Sequence, residues 1–92
     1  MKKRHTKRDV RRMVGHLLLH HPTTGWLARD RNGIRVKSLD SDACCWCLWG
    51  ALRAAASALK VTVRKPGIWT TAEWDNATDE QRKAYATKLS RS

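Results

Sequence analysis

The first apolar stripe of the chain follows directly on its basic N-terminus. From Val10 to Leu18, apolar residues recur at the three- and four-residue spacing that places them on one side of an α-helix. The residue before a proline is disfavoured in the helical conformation, so this helix must end before Pro22. The pattern therefore predicts an N-terminal helix that starts near Thr6.

Two short segments of alternating apolar and polar residues come next, separated by Asn32-Gly33. An Asn-Gly pair between such segments is typical of a β-hairpin turn, since both residues tolerate positive φ. We expect Ile34 and Val36 to face the interior, with the cations beside them facing solvent. A hairpin by itself is only marginally stable, so it must pack against helices.

The middle of the chain predicts a central helix over residues 43–59, preceded by a turn and N-cap at 38–42. Its many alanines favour helix formation and close packing. The β-branched residues Val61-Thr62-Val63 predict a third short strand beside the hairpin, ended by Lys65-Pro66-Gly67. The expected buried stripe of the central helix is Cys44, Leu48, Ala51, Leu52, Ala55 and Leu59.

The C-terminal third contains two capping-box patterns. Thr70 with Glu73 predicts a brief helix through Trp74, and Thr78 with Gln81 predicts a terminal helix. The chain is thus expected to have an α+β fold. It would combine an N-terminal helix, a β-hairpin or three-stranded antiparallel sheet, a central Ala-rich helix and C-terminal helices.

The 92 residues suffice for one domain with a single modest core. We expect residues 1–92 to form that domain, with residues 1–5 as a flexible basic tail. No segment approaches the roughly 20 apolar residues of a membrane span. The apolar run at 14–19 is interrupted by Gly15 and His16, which argues against a secretory signal. A cytoplasmic protein is expected.

Aromatic volume comes almost entirely from tryptophan, because the chain has five Trp, one Tyr and no Phe. Tryptophan is at home both in a core and at a partner surface. The sequence leaves open which tryptophans take which role.

Positive charge is concentrated at the start of the chain. Residues 1–40 hold eleven Lys and Arg against three Asp, which accounts for +8 of the +11 net charge. Such one-sided charge is typical of a surface that binds a polyanion or an acidic protein, with a solubilising surface as the alternative. Arginine predominates, and its planar guanidinium suits phosphate and carboxylate. The predicted partner-binding residues, here called the basic face, are Arg4, Lys7, Arg8, Arg11, Arg12, Arg29, Arg31, Arg35 and Lys37.

Histidine and cysteine form no recognisable catalytic or metal motif. His16 and His20 are four residues apart on the predicted helix, but a zinc site needs three or four ligands. Cys44 and Cys47 form a single CxxC without a second pair. We therefore expect a non-enzymatic protein without a cofactor or metal, whose thiols act as small core hydrophobes. The sequence also lacks RNP, zinc-finger and helix-turn-helix motifs, so base-specific readout is not expected.

One set of residues in the middle of the chain has the pattern of a known family. The set comprises Trp26, Ala28-Arg29-Asp30, Gly33, Asp42-Ala43, the string WCLWGAL from Trp46 to Leu52 and, more weakly, Trp74-Asp75-Asn76 and the segment from Thr78 onward. In these residues the chain resembles a family of small phage and bacterial domains of unknown function. The resemblance implies an α+β domain in which Gly50 and Ala51 let the central helix approach the hairpin closely, with Trp46 or Trp49 as packing anchors.

The short length, phage-like character and basic charge are also similar to phage anti-CRISPR proteins directed at type I-F surveillance complexes. This resemblance implies a monomeric inhibitor in the cytoplasm of the infected bacterial host, with no membrane partner. It would bind protein subunits or guide RNA of the CRISPR RNA-protein complex and block recognition of target DNA, evading host defence. The alternatives are a small regulator that binds free DNA or RNA, and a domain that stabilises a protein assembly.

Overall fold

The computed structural model describes residues 5–63 and 67–91. Within these residues the order of elements is α1 (Lys7–His20), β1 (Ala28–Arg29), β2 (Arg35–Val36), β3 (Cys45–Trp46), α2 (Leu48–Leu59), α3 (Thr71–Asn76) and α4 (Asp79–Ser90). The predicted α+β architecture is confirmed. Residues 1–4 of the predicted basic tail, including Arg4, lie outside the described residues. The predicted stop signal at Lys65-Pro66 also lies outside them.

Helix α1 begins at the predicted cap and buries the predicted stripe. The Thr6 hydroxyl accepts a hydrogen bond from the Asp9 N–H, and the Asp9 carboxylate accepts one from the Thr6 N–H at 2.8 Å. The backbone hydrogen bond from Thr6 lowers the pKa of Asp9. Val10 and Val14 are fully buried, and the helix ends at His20. Capping boxes also open α3 at Thr70 and α4 at Thr78, as predicted.

The three strands form one antiparallel sheet in the order β2-β1-β3. Ala28 at its centre pairs with Val36 on one side and with Trp46 on the other. The outer side of β3 makes a parallel bridge to Pro22, where the Trp46 N–H donates to the His21 carbonyl at 2.8 Å. The chain leaving α1 therefore continues directly onto the sheet.

The turn between β1 and β2 confirms the predicted hairpin. The Asp30 carboxylate accepts hydrogen bonds from the N–H groups of Asn32 at 2.8 Å and Ile34 at 2.9 Å. Gly33 takes a φ of +80°, which favours glycine at this position. The expectation that Ile34 faces the interior is wrong, because it belongs to the turn and is 61% exposed. Val36 on β2 is half-buried.

The third strand is Cys45–Trp46, so the prediction of a strand at residues 61–63 is wrong. Lys60 ends α2 in the left-handed conformation with a φ of +55°. The next N–H, of Val61, donates back to the Ala56 carbonyl at 3.0 Å. This hydrogen-bonded turn ends the helix. Residues 61–63 then continue without regular secondary structure.

Helix α2 starts at Leu48, five residues later than predicted. Its N-cap is Cys47, whose sulfur accepts from the Gly50 N–H at 3.4 Å, and not a residue of the 38–42 turn. Cys44 lies before β3, is half-buried and does not belong to the helix stripe. Pairing of Cys45–Trp46 with β1 takes only the first few residues of the predicted helix. The rest of the predicted stripe therefore stays helical and packs in or against the core.

Helix α2 approaches the sheet closely at Gly50. The carbonyl of Leu27, just before β1, accepts a hydrogen bond from the Cys47 N–H at 3.1 Å. A Cβ built at Gly50 would overlap this same carbonyl group. The close approach implied by the resemblance is thus present in the structure, where a side chain of any size would separate helix and strand.

A second close contact joins α1 and α4, where a Cβ at Gly15 would overlap the backbone of Ser90. The core lies among α1, α2 and α4 and includes Trp74 from α3. Trp74 is fully buried, and its indole N–H donates to the Thr23 carbonyl at 2.9 Å. Trp46 and Trp49 are partly buried against this core.

Replacing Gly50 by alanine is expected to destabilise the fold by about 3 kcal/mol, at the upper end of overpacking costs. Alanine is intrinsically favoured over glycine in a helix by about 1 kcal/mol, but the overlap with the Leu27 carbonyl outweighs this gain. Urea unfolding followed by circular dichroism measures the change. Ser57→Ala, at an exposed site on the same helix, is the control and should leave the midpoint nearly unchanged. An unaltered midpoint for Gly50→Ala would contradict the close approach.

Candidate functional site

The cations of α1 divide into exposed and partly buried positions. Lys7, Arg8 and Arg12 are exposed. Arg11 is half-buried, its Nε is shielded from solvent without a hydrogen-bond partner, and its guanidinium lies beside Gly67. Arg11 therefore packs against the C-terminal part of the molecule and does not share the solvent-facing surface of its neighbours.

The two arginines nearest the hairpin turn have different roles. Arg29 is half-buried, and its guanidinium donates to the Gly33 carbonyl at 3.0 Å and to the Thr24 carbonyl at 3.4 Å. It therefore ties the turn to the segment that precedes the sheet. Arg31 is exposed on the turn and forms no ion pair or hydrogen bond with the described residues.

Three cations lie along one groove between β2, α2 and residues 61–63. Arg35 and Lys37 come from the hairpin, whereas Arg53 comes from α2. The groove has a volume of about 810 Å³, and none of the described residues that line it is acidic. The cations of α1 do not line it. The structure therefore brings part of the basic face together and leaves the α1 cations in a separate region.

Arg53 is a groove residue that the sequence pattern did not single out. It lies in a segment of moderate charge and belongs to a helix assigned mainly to the core. Its position relative to Gly50 is the signal that could have found it. Residues three apart share a helix face, so the turn that approaches the hairpin also directs Arg53 toward it.

Trp26 forms the aromatic wall of this groove. It is 44% exposed, and its indole N–H donates to the Val36 carbonyl at 3.2 Å, which fixes the ring against β2. The Arg35 guanidinium lies over the ring, 5.2 Å from its centroid, in a cation–π contact. An exposed ring held in one orientation beside cations is a surface on which a flat, polar ligand can stack.

The other tryptophans are occupied in packing. Trp74 is fully buried, and the indole of Trp49 donates to the Trp69 carbonyl at 3.0 Å. Trp69 in turn stacks on Tyr85 with ring centroids 3.9 Å apart and planes at 2°. Burial raises the pKa of Tyr85. Among the tryptophans, Trp26 is therefore the one with the largest surface available to a partner.

The cysteines are free thiols, with Cys47 buried and Cys44 and Cys45 half-buried. Burial raises the pKa of both Cys45 and Cys47, which favours the protonated thiol. Among residues 5–63 and 67–91, no three His, Cys, Asp or Glu side chains are grouped to hold a metal ion. Within the same ranges, no helix has the length and apolar character needed to cross a membrane.

Comparison with known proteins finds no match to a family model, to a curated protein or to a solved structure. The exposed cations and the groove that contains Trp26 are the surface features that bear on function. These features provide positive charge, hydrogen-bond donors and one aromatic surface. Groups of these kinds are chemically suited to an anion with planar components, such as a nucleotide.

Arg29→Lys is expected to destabilise the fold by roughly 1.5–3 kcal/mol, the range for hydrogen bonds that involve a charged group. Lysine keeps the charge but cannot reproduce the two bonds to the Gly33 and Thr24 carbonyls. Arg31→Lys makes the same chemical change at an exposed site and should leave stability unaltered. Thermal unfolding compares the two variants. Equal melting temperatures would show that Arg29 has no structural role.

Proposed function

We propose that this protein is a non-enzymatic binding protein whose basic face docks on a phosphate-bearing partner. The observation that carries the proposal is a set of exposed cations on α1, the hairpin and α2 that lack an ion pair. Within residues 5–63 and 67–91, this set has no carboxylate within 4.0 Å and no side-chain hydrogen-bond partner. It comprises Lys7, Arg8, Arg31, Lys37 and Arg53.

Acidic side chains do not neutralise these cations, because several carboxylates are used for local structure. Asp9 caps α1, Asp30 closes the hairpin turn and Glu73 caps α3. Asp40 accepts the Asp42 N–H, and Asp79 pairs with the half-buried Arg82. The repulsion among the exposed cations is therefore left for a partner to relieve, and a chain of phosphates supplies the needed negative charge.

We propose as the partner the type I-F CRISPR RNA-protein complex that the second resemblance implies. The protein would bind it as a monomer in the cytoplasm of the infected bacterial host and obstruct recognition of target DNA. The groove supports a partner that carries RNA over a purely acidic protein surface. Arginine guanidinium groups and an exposed indole are both suited to nucleotides, whereas carboxylates need only the cations.

Binding to free nucleic acid is the second candidate, and the same groove favours it. Arg35, Lys37 and Arg53 could contact the phosphates of free nucleic acid without any protein subunit of a complex. In this case the protein would be a small regulator with little base specificity.

Capture of purified complex separates the two candidates. The tagged protein is mixed with a type I-F surveillance complex, and bound stoichiometry is measured by native mass spectrometry. Gel shifts with free duplex and single-stranded nucleic acid run in parallel. We expect stoichiometric capture together with loss of target-DNA binding. Tight binding to free nucleic acid without capture would replace the first candidate by the second, and binding to neither would reject both.

Reversal of the α1 charges should weaken partner binding on the order of tenfold or more, since phosphate contacts dominate such affinities. The double variant Lys7→Glu with Arg8→Glu removes two exposed cations from the first turn of α1. Acidic residues are favourable near a helix N-terminus, so the fold should be retained. Binding is measured by titration against the purified partner, with the melting temperature as a check on folding.

The matched control for this variant is Lys83→Glu with Lys88→Glu at two exposed positions of α4, which changes net charge by the same amount. We expect this control to retain most of the affinity. Equal losses for both double variants would show that binding depends on overall charge and not on the α1 part of the basic face.

A further inference from the structure

We infer that the groove between β2 and α2 binds an unpaired segment of single-stranded nucleic acid. A base would stack on Trp26, and phosphates would be bound by Arg35, Lys37 and Arg53. The inference deepens the proposed function and rests on it in one respect, since it takes the partner to carry exposed nucleotides.

The charge of the groove matches a phosphate backbone. Three of its lining residues are cations, and the described part of its wall contains no acidic residue. The Lys37 and Arg53 side chains are exposed and have no hydrogen-bond partner among the described residues. Binding a phosphate would thus break no existing contact of these two side chains.

The ring of Trp26 is prepared for stacking. Its hydrogen bond to the Val36 carbonyl fixes its orientation, and 44% of the residue remains exposed. The Arg35 guanidinium over the ring makes no hydrogen bond within the described chain. A base could therefore take the place of this guanidinium on the ring, while Arg35 turns to an adjacent phosphate. Stacking on an aromatic side chain is the common way in which proteins hold unpaired bases.

A buried hydroxyl in the groove lacks a partner. Ser38 lines the groove and is only 6% exposed, and its Oγ forms no hydrogen bond with the described chain. Buried polar groups in folded proteins nearly always have a partner. A phosphate or sugar oxygen in the groove would supply one after a small movement that opens the Ser38 hydroxyl to the groove.

Stacking on Trp26 favours a single strand over a duplex in this groove. Its volume of about 810 Å³ lies within the range of about 300–1,000 Å³ typical of small-ligand pockets. It can therefore receive a nucleotide-sized group. In a duplex the base faces are covered by neighbouring base pairs and cannot stack on Trp26.

The test measures fluorescence anisotropy with a labelled oligouridine of about twelve nucleotides, within the usual length range of single-strand sites. The wild-type protein is compared with Trp26→Leu and Arg53→Ala. Loss of the stacking ring should weaken binding by about 5- to 150-fold. Arg53→Ala should reduce the slope of log affinity against log salt by about 0.7, the value for one phosphate contact with a single strand.

Three controls give the test its specificity. Lys83→Ala removes an exposed lysine outside the groove and should change the affinity much less than Arg53→Ala. A hairpin duplex and a polyglutamate peptide replace oligouridine in separate titrations, and both should bind more weakly than the single strand. Trp26→Phe retains an aromatic face and should keep more affinity than Trp26→Leu.

Several results would overturn the inference. These are equal affinity for duplex and single strand, tighter binding of polyglutamate, or unchanged affinity in both Trp26→Leu and Arg53→Ala. If Trp26→Leu fails to fold, Arg53→Ala and the salt slope decide, because alanine is well tolerated at this exposed helical site. Capture of the CRISPR complex without oligouridine binding would reject the groove inference alone. Oligouridine binding at the groove without capture would reject only the proposed partner.

Discussion

The contact between Leu27 and the first turn of α2 is the constraint on which the rest of the molecule depends. The Leu27 carbonyl lies against Gly50 and accepts the Cys47 N–H at 3.1 Å, so it satisfies one of the N–H groups that a helix leaves free at its start. Its partial negative charge also faces the positive end of the helix. Because strands of two residues provide few ladder bonds, this contact holds the sheet on the helix and places β2 opposite Arg53.

The tryptophans donate hydrogen bonds as well as filling apolar volume, which explains why the chain uses five Trp and no Phe. Four of the five indole N–H groups donate to backbone carbonyls, namely those of Val36, Ser38, Trp69 and Thr23. All four carbonyls lie in loops or at a sheet edge, where regular secondary structure does not supply every partner. An indole can fill apolar volume and donate such a bond at the same time, whereas a phenyl ring can only fill volume.

The features that the sequence predicted well are those with a local cause. The starts of α1, α3 and α4 follow from side chains three residues apart that bond to each other's backbone. Strand β3 could not be predicted in this way, because Cys45–Trp46 is extended only through pairing with Ala28 and Pro22, which are distant in sequence. The candidate site likewise has a part that the sequence predicts and a part that depends on the fold. Residue types show which side chains are cationic, but only packing shows that Arg29 is engaged and that Arg53 joins the hairpin.

Residues in the string from Trp46 to Leu52 form the junction between α2 and the three-stranded sheet. Trp46 pairs in the sheet, Cys47 caps α2, Leu48 is fully buried and Gly50 admits the Leu27 carbonyl. The cations that line the groove are, by contrast, exposed side chains that the core does not use. The scaffold and the cations proposed to bind a partner are therefore encoded at separate positions, so substitutions at these cations can change surface charge while the architecture stays the same.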